Sequence, residues 1–150
     1  MATDRSYIAT NDAERARLKA LVARCSDADL ARPMDAGWTV AGVLGHLAFW
    51  DQRVIELLDS WERTGTVPPG GAAEDVDWIN DAGKPFLLAV PPRKAAEMAI
   101  AIAEAVDRRV AALSEDLIAK NAAAGSPLML TRWVHRKEHL DDIARLFESR

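Results

Sequence analysis

The sequence predicts an all-α protein, a four-helix bundle. Four segments repeat apolar residues at helical spacing, and none alternates as a β-strand would. Breakers such as Pro33, Gly37 and the VPPGG run fall between those segments. Four amphipathic helices bury their stripes most simply against one another. A chain of 150 residues fits one domain, 1–150, with a substantial core.

The first helix is expected from Asn11 to Arg24, with Asn11 and Glu14 read as a capping box. Leu18, Leu21, Val22 and Cys25 then form its inward stripe. SDADLARPMDAG reads as a connector. Thr39 is a suitable N-cap for a second helix reaching Trp61 or Glu62. Its stripe runs through Val43, His46, Trp50, Arg53 or Val54, Leu57 and Trp61. A third helix is expected over Arg93–Leu113, with Met98, Ile102, Val106 and Leu113 inward. SEDLIAKNAAAG follows as a second connector. Serine followed by proline at Ser126-Pro127 marks a fourth helix start, predicting Pro127 to Phe147. Its stripe reads Leu128, Arg132, His135, His139, Asp142 or Ile143, and Leu146.

The link between the second and third helices is roughly thirty residues, far beyond a usual bundle loop. A link that long can cross the bundle and let the two helices run parallel. A short helical turn is expected in it around Asp75 to Asp81, and the segment could cover a site.

Net charge is −4 with no basic block, which argues against nucleic acid as a partner. No apolar run has the length of a membrane span, and the N-terminus lacks the apolar core of a signal peptide. Cys25 is the single cysteine, so no internal disulfide forms, which suits a reducing cytoplasm. Its place in a core stripe points to an inert structural residue, not a nucleophile. Small molecules and a second copy of the chain remain as expected partners.

The three histidines carry the functional signal. His135 and His139 lie four apart on one helical face, and His46 lies on another helix. Each replaces an apolar residue in a core stripe, where an imidazole needs a hydrogen bond or a metal. A single such histidine, or an isolated pair, is ordinary core or surface. All three together suit a divalent ion with an open coordination position, the mark of a catalytic site. Imidazole accepts zinc, nickel, iron and manganese, so ligand type does not choose among them. Glu138 and Asp142 flank the helical pair and could orient an imidazole N–H, or be solvated surface. Trp50, one turn beyond His46, could wall a pocket or simply pack. Arg53 and Arg132 could hold an anionic substrate, or be snorkelling or ion-paired. Asn80, in DWIND, could close over the site or cap a short turn.

GWTVAGVLGHLAFWDQRV, together with HRKEHLDDI, resembles the DinB/YfiT-like superfamily over essentially the whole chain. That superfamily includes thiol S-transferases and the N-terminal domain of mycothiol-dependent maleylpyruvate isomerase. The resemblance implies an up-down-down-up four-helix bundle with a three-histidine metal site. It puts the ligands at His46, His135 and His139, and it favours an asparagine in the crossover, here Asn80. It implies zinc or nickel, with iron or manganese as further candidates. The metal would activate a low-molecular-weight thiol, such as mycothiol or bacillithiol, or water, for S-transfer or isomerisation. The Ala- and Arg-rich composition suggests a GC-rich genome, whose hosts could use mycothiol. Homodimers are common among such bundles. The competing expectation is a binding protein of the same fold that sequesters a metal or small ligand without turnover.

Overall fold

The computed structural model describes residues 3–149; Met1, Ala2 and Arg150 of the expected 1–150 domain lie outside the described residues. The described chain is all-helical, with α1 Tyr7–Arg24, α2 Asp27–Leu30, α3 Val40–Thr64, α4 Ala73–Ala89, α5 Pro92–Ala111, α6 Glu115–Ala123 and α7 Trp133–Glu148. A 3-10 turn covers Asp35–Gly37. Among the described residues no helix is long and apolar enough to cross a membrane.

The helix expected from Asn11 starts earlier, at Tyr7, and Asn11 caps a different helix. It is buried in the second turn of α1. Its Oδ1 accepts from the Trp133 N–H at 2.9 Å, and its Nδ2 donates to the Leu130 carbonyl at 3.0 Å. One amide thereby satisfies backbone groups at the entrance to α7. The two ends of the chain are joined there.

Thr39 caps α3 as its sequence predicts, its hydroxyl accepting from the Gly42 N–H at 3.0 Å. Gly65, at φ 68°, closes the same helix in the left-handed conformation that favours glycine. Both connectors hold short helices. Ser26 and Asp29 form a reciprocal capping box on α2, and Ser114 caps α6.

The helix start read at Ser126-Pro127 is not one. Ser126 has φ 56°, outside the helical region. Asn121 accepts from the Leu128 N–H and donates to the Leu128 carbonyl, both at 2.9 Å. Those bonds give the extended segment its partners, and Leu128 is buried as a loop anchor instead of a helical residue. Six residues later than expected, α7 begins.

The helix α3 packs most extensively on α5, while α1 lies against both α5 and α7. The expected stripe of α5 holds in its second half, where Val106 and Leu113 are buried, but Met98 and Ile102 are only partly buried. The seam is Ala95, Ala96, Ala99 and Ala103, followed by Val106 and Val110. Alanines allow close approach, and Gly45 of α3 faces Ala95 there. Side-chain bonds fix which ends meet. Tyr7 Oη donates to the Val110 carbonyl, Arg15 pairs with Asp107, Lys19 with Glu104, and Arg93 donates to the Cys25 carbonyl. Arg17 pairs with Asp141, and Arg109 with Asp59.

The crossover differs most from its prediction. In place of one turn near Asp75 to Asp81, α4 runs over seventeen residues. None of them is buried, so no apolar face announces the helix, and Gly83 and Pro85 read as breakers. It packs on α3, where Leu88 lies above Gly42 and Leu87 above Gly45. A Cβ on Gly42 would lie 2.8 Å from Leu88 Cδ2, so the tip of that leucine sits in the space the missing side chain leaves.

Asn11→Ala should lower unfolding free energy by about 2 kcal/mol, because a buried N–H and a carbonyl lose their partner. Urea titration with an unchanged m-value reads that loss; a change within error would remove Asn11 as the tie between α1 and α7.

Candidate metal centre

His46 lies in the second turn of α3, and His135 and His139 are one turn apart in α7. Folding brings all three together. His46 Nε2 is 3.0 Å from His135 Nε2, and His139 Nε2 is 3.1 Å from the same atom. The three rings stand nearly perpendicular to one another, with centroids 4.7 to 5.0 Å apart.

Hydrogen bonding alone does not account for this convergence. An imidazole Nε2 carries one proton or one in-plane lone pair. The His135 nitrogen can complete only one of its two contacts as a linear hydrogen bond. Three lone pairs pointed at one another repel, unless a cation lies between them. A tetrahedral ion with nitrogen ligands at zinc distances needs them roughly 3.3 Å apart. Ligand atoms from the three residues all fall within 4.8 Å of one another, so the group can hold a metal ion.

The electrostatics favour the ligating form. Burial, then the charge of a protonated His139, pushes the His46 pKa down to about 4. Burial leads at His135 too, taking it to about 3, with His139, His46, Arg132 and Arg136 adding repulsion. Burial lowers His139 against the pull of Glu138 and Asp142. All three imidazoles are neutral at pH 7, the state that binds a cation.

Beneath the imidazoles lies a buried ion network. Arg136, 1% exposed, donates to both oxygens of Asp107, to Asp51 and to the Asn11 carbonyl. Arg132 Nε donates to Asp51 at 2.8 Å, and Arg15 to Asp107 at 2.7 Å. Four helices meet through these groups. Arg132, expected as a holder of anions, is spent on Asp51 and is not among the cleft-lining residues.

Above the imidazoles opens a cleft of about 1150 Å³. His46, His135 and His139 form its floor, and Trp38, Val43 and Met34 give it apolar wall. Trp38 is the lining aromatic, its ring 5.7 Å from His46. Trp50 also stands near His46, at 6.5 Å, but outside the lining. Its Nε1 donates to Asn80 Oδ1 at 2.8 Å, and Asn80 lines the cleft from α4. Arg53 stacks on Trp50 at 5.6 Å and does not line the cleft.

Glu138 and Asp142 do line it. Asp142 pairs with Arg145. Among the described residues neither carboxylate hydrogen-bonds an imidazole; both act on His139 through charge. Cys25 is buried and does not line the cleft; it borders a second, smaller cavity of about 350 Å³.

Several site residues were not anticipated. Asp35, Asp77, Asp81 and Lys84 come from the connector and from α4, where no periodicity marks them. Asp51, Asp107 and Arg136 carried a weaker signal, as charged residues within helices that bury their neighbours.

The DinB superfamily model matches residues 10–147, a span that includes all three histidines. No curated protein and no solved structure matches the chain.

Two outcomes follow. Arg136→Met should destabilise the fold by about 3 kcal/mol, since two buried carboxylates lose a partner; denaturant unfolding measures it. In chelator-treated protein, stability should fall with pH from near 6.5 toward about 4 at His46 and about 3 at His135. The unfolded chain takes up protons there that the native rings refuse, and above 6.5 this contribution is fully present. His135→Gln should flatten that slope, read as urea midpoints between pH 7.5 and 4.5.

Proposed function

The chain belongs to the DinB superfamily, and on that premise we propose a divalent-metal-dependent enzyme with His46, His135 and His139 as ligands. The observation that carries this reading is the convergence of three neutral imidazole nitrogens on one point at the floor of a cleft. Three protein ligands leave a position for a substrate atom, as in catalytic rather than structural sites. Zinc or nickel is the ion proposed, with iron or manganese as alternatives of the same ligand chemistry. Bound there, it would supply Lewis acidity that lowers the pKa of a coordinated thiol or water. The reaction proposed is S-transfer from a low-molecular-weight thiol to a small electrophile, or thiol-assisted isomerisation. We propose a cytoplasmic setting for this chemistry.

The residues of the chain have distinct parts in it. Burial, reinforced by the charges of the neighbouring histidines and of Arg132 and Arg136, keeps the His135 ring unprotonated and therefore able to donate its lone pair. Asn80, held by Trp50, offers its remaining amide hydrogens at the cleft for orienting a bound molecule. The wall of Trp38, Val43 and Met34 keeps water from part of the space over the imidazoles. The fold proposed with this site is a single up-down-down-up bundle of α1, α3, α5 and α7. The pairs Arg15–Asp107 and Lys19–Glu104 support opposite directions for α1 and α5. The pair Arg17–Asp141, with the Asn11–Trp133 bond, supports a common direction for α1 and α7.

Purified protein should take up about one divalent ion per chain by elemental analysis, and His135→Ala should lose most of it. The loaded protein should consume thiol against a panel of electrophiles. Saturable ligand binding without product would favour a sequestering protein. Uptake far below one ion after reloading would end the metal reading.

A further inference from the structure

The cleft over the imidazoles has a charge that the three histidines do not explain. Asp35, Asp77, Asp81, Glu138 and Asp142 line it, against two cations, Lys84 and Arg145. Arg145 is neutralised by Asp142. Among the described residues no ion pair engages Asp35, Asp77, Asp81 or Glu138. A divalent ion on the imidazoles would still leave the lining net negative. Carboxylates at the mouth of a partly enclosed space focus their field into it and raise the local concentration of cations.

A second observation shows how this cleft handles an ammonium group. Lys84 reaches across from α4, and its Nζ donates to the Ala36 carbonyl. The same ammonium lies 5.3 Å from the centre of the Trp38 ring. Aromatic face and carbonyl oxygen together form a common receptor for a protonated amine. Ala36 has φ 55°, an uncommon conformation for a residue with a Cβ, in the turn that supplies this carbonyl. Trp38 lies only 5.7 Å from His46, so an ammonium held at its face is close to the imidazoles.

We infer that the cleft is built for a substrate or thiol bearing a protonated amine, and that it disfavours anionic ones. The inference rests on reading this cleft as the substrate site of the proposed enzyme, and it specifies the charge class of what enters. Lys84 holds the Trp38 face and the Ala36 carbonyl in this structure, and an incoming ammonium takes its place there. The carboxylates from α4 and the 3-10 turn steer it there. Arg132, which might have drawn anions, is buried against Asp51.

Three small thiols of similar length test this: cysteamine, 2-mercaptoethanol and 3-mercaptopropionate, which are cationic, neutral and anionic. Their affinities are measured by calorimetry on the full chain, with and without cobalt, and cobalt uptake is counted separately by elemental analysis. Cysteamine should bind about tenfold more tightly than 3-mercaptopropionate, as expected from two or more screened charge contacts. The ratio should shrink in high salt. It should approach one in the variant combining Asp35→Asn, Asp77→Asn and Asp81→Asn, all exposed positions whose folding is checked by circular dichroism. Equal or reversed affinities overturn the inference, as does failure of all three thiols to bind. A preference that persists undiminished in the variant also overturns it, since it would reflect the acidity of the thiols. Absence of cobalt uptake counts against the metal reading alone, because the cobalt-free comparison still reports charge preference.

Discussion

The structure depends on a guanidinium placed where water cannot reach it. Arg136 is among the most deeply buried side chains in the protein. Such a charge is tolerated only when its donors meet acceptors, and here they meet Asp51 of α3, Asp107 of α5 and the Asn11 carbonyl of α1. An apolar core lets helices slide by a turn at modest cost. A fixed set of charged hydrogen bonds does not, because a slip leaves ions unpaired in a poorly polarisable interior. The network therefore sets how α7 lies along α3. His135 precedes Arg136 directly, and His46 lies five residues before Asp51, so the alignment that satisfies the ions also brings the imidazoles together.

This arrangement explains why polar residues cluster on one side of the core. The same helix, α3, that buries Val54, Leu58 and Trp61 lower down carries Asp51 into the ion network and His46 to the cleft. Burial is used there against protonation: the rings stay neutral chiefly because a charge on them would lose its water, and at His135 two arginines add repulsion. The cost of assembling that group is offset by the surrounding ion pairs and by the apolar packing on either side of it.

Much of this was legible in the sequence, and the failures share a cause. The core stripe of α1, the Thr39 cap and the inward placement of the three histidines follow from local rules, because periodicity and capping depend on near neighbours. Asn11 misled because its chemistry is that of a cap, but the helix it caps begins more than a hundred residues away. Ser126-Pro127 misled because Asn121 offers Leu128 a non-helical alternative that no dipeptide rule contains. The first half of the α5 seam was misplaced because large apolar residues were weighted above alanine, whereas Gly45 calls for small partners. Helix α4 was largely missed because none of its residues is fully buried and Gly83 and Pro85 interrupt its pattern. Arg132 had two readings, and the partner that decided between them lies on another helix.

The glycine beneath Leu88 has an effect larger than its size. Gly42 holds open a dent in α3, and the same dent is bordered by Trp38 Cε3 at 3.2 Å from where a Cβ would stand. A larger residue there would press at once on a tip of the roof and on the edge of the indole beside it. Neither roof nor indole belongs to the ligating trio. Descendants of this chain could widen or narrow the doorway by exchanging a residue that no visiting molecule touches, and so change their clientele while the chemistry inside stays the same.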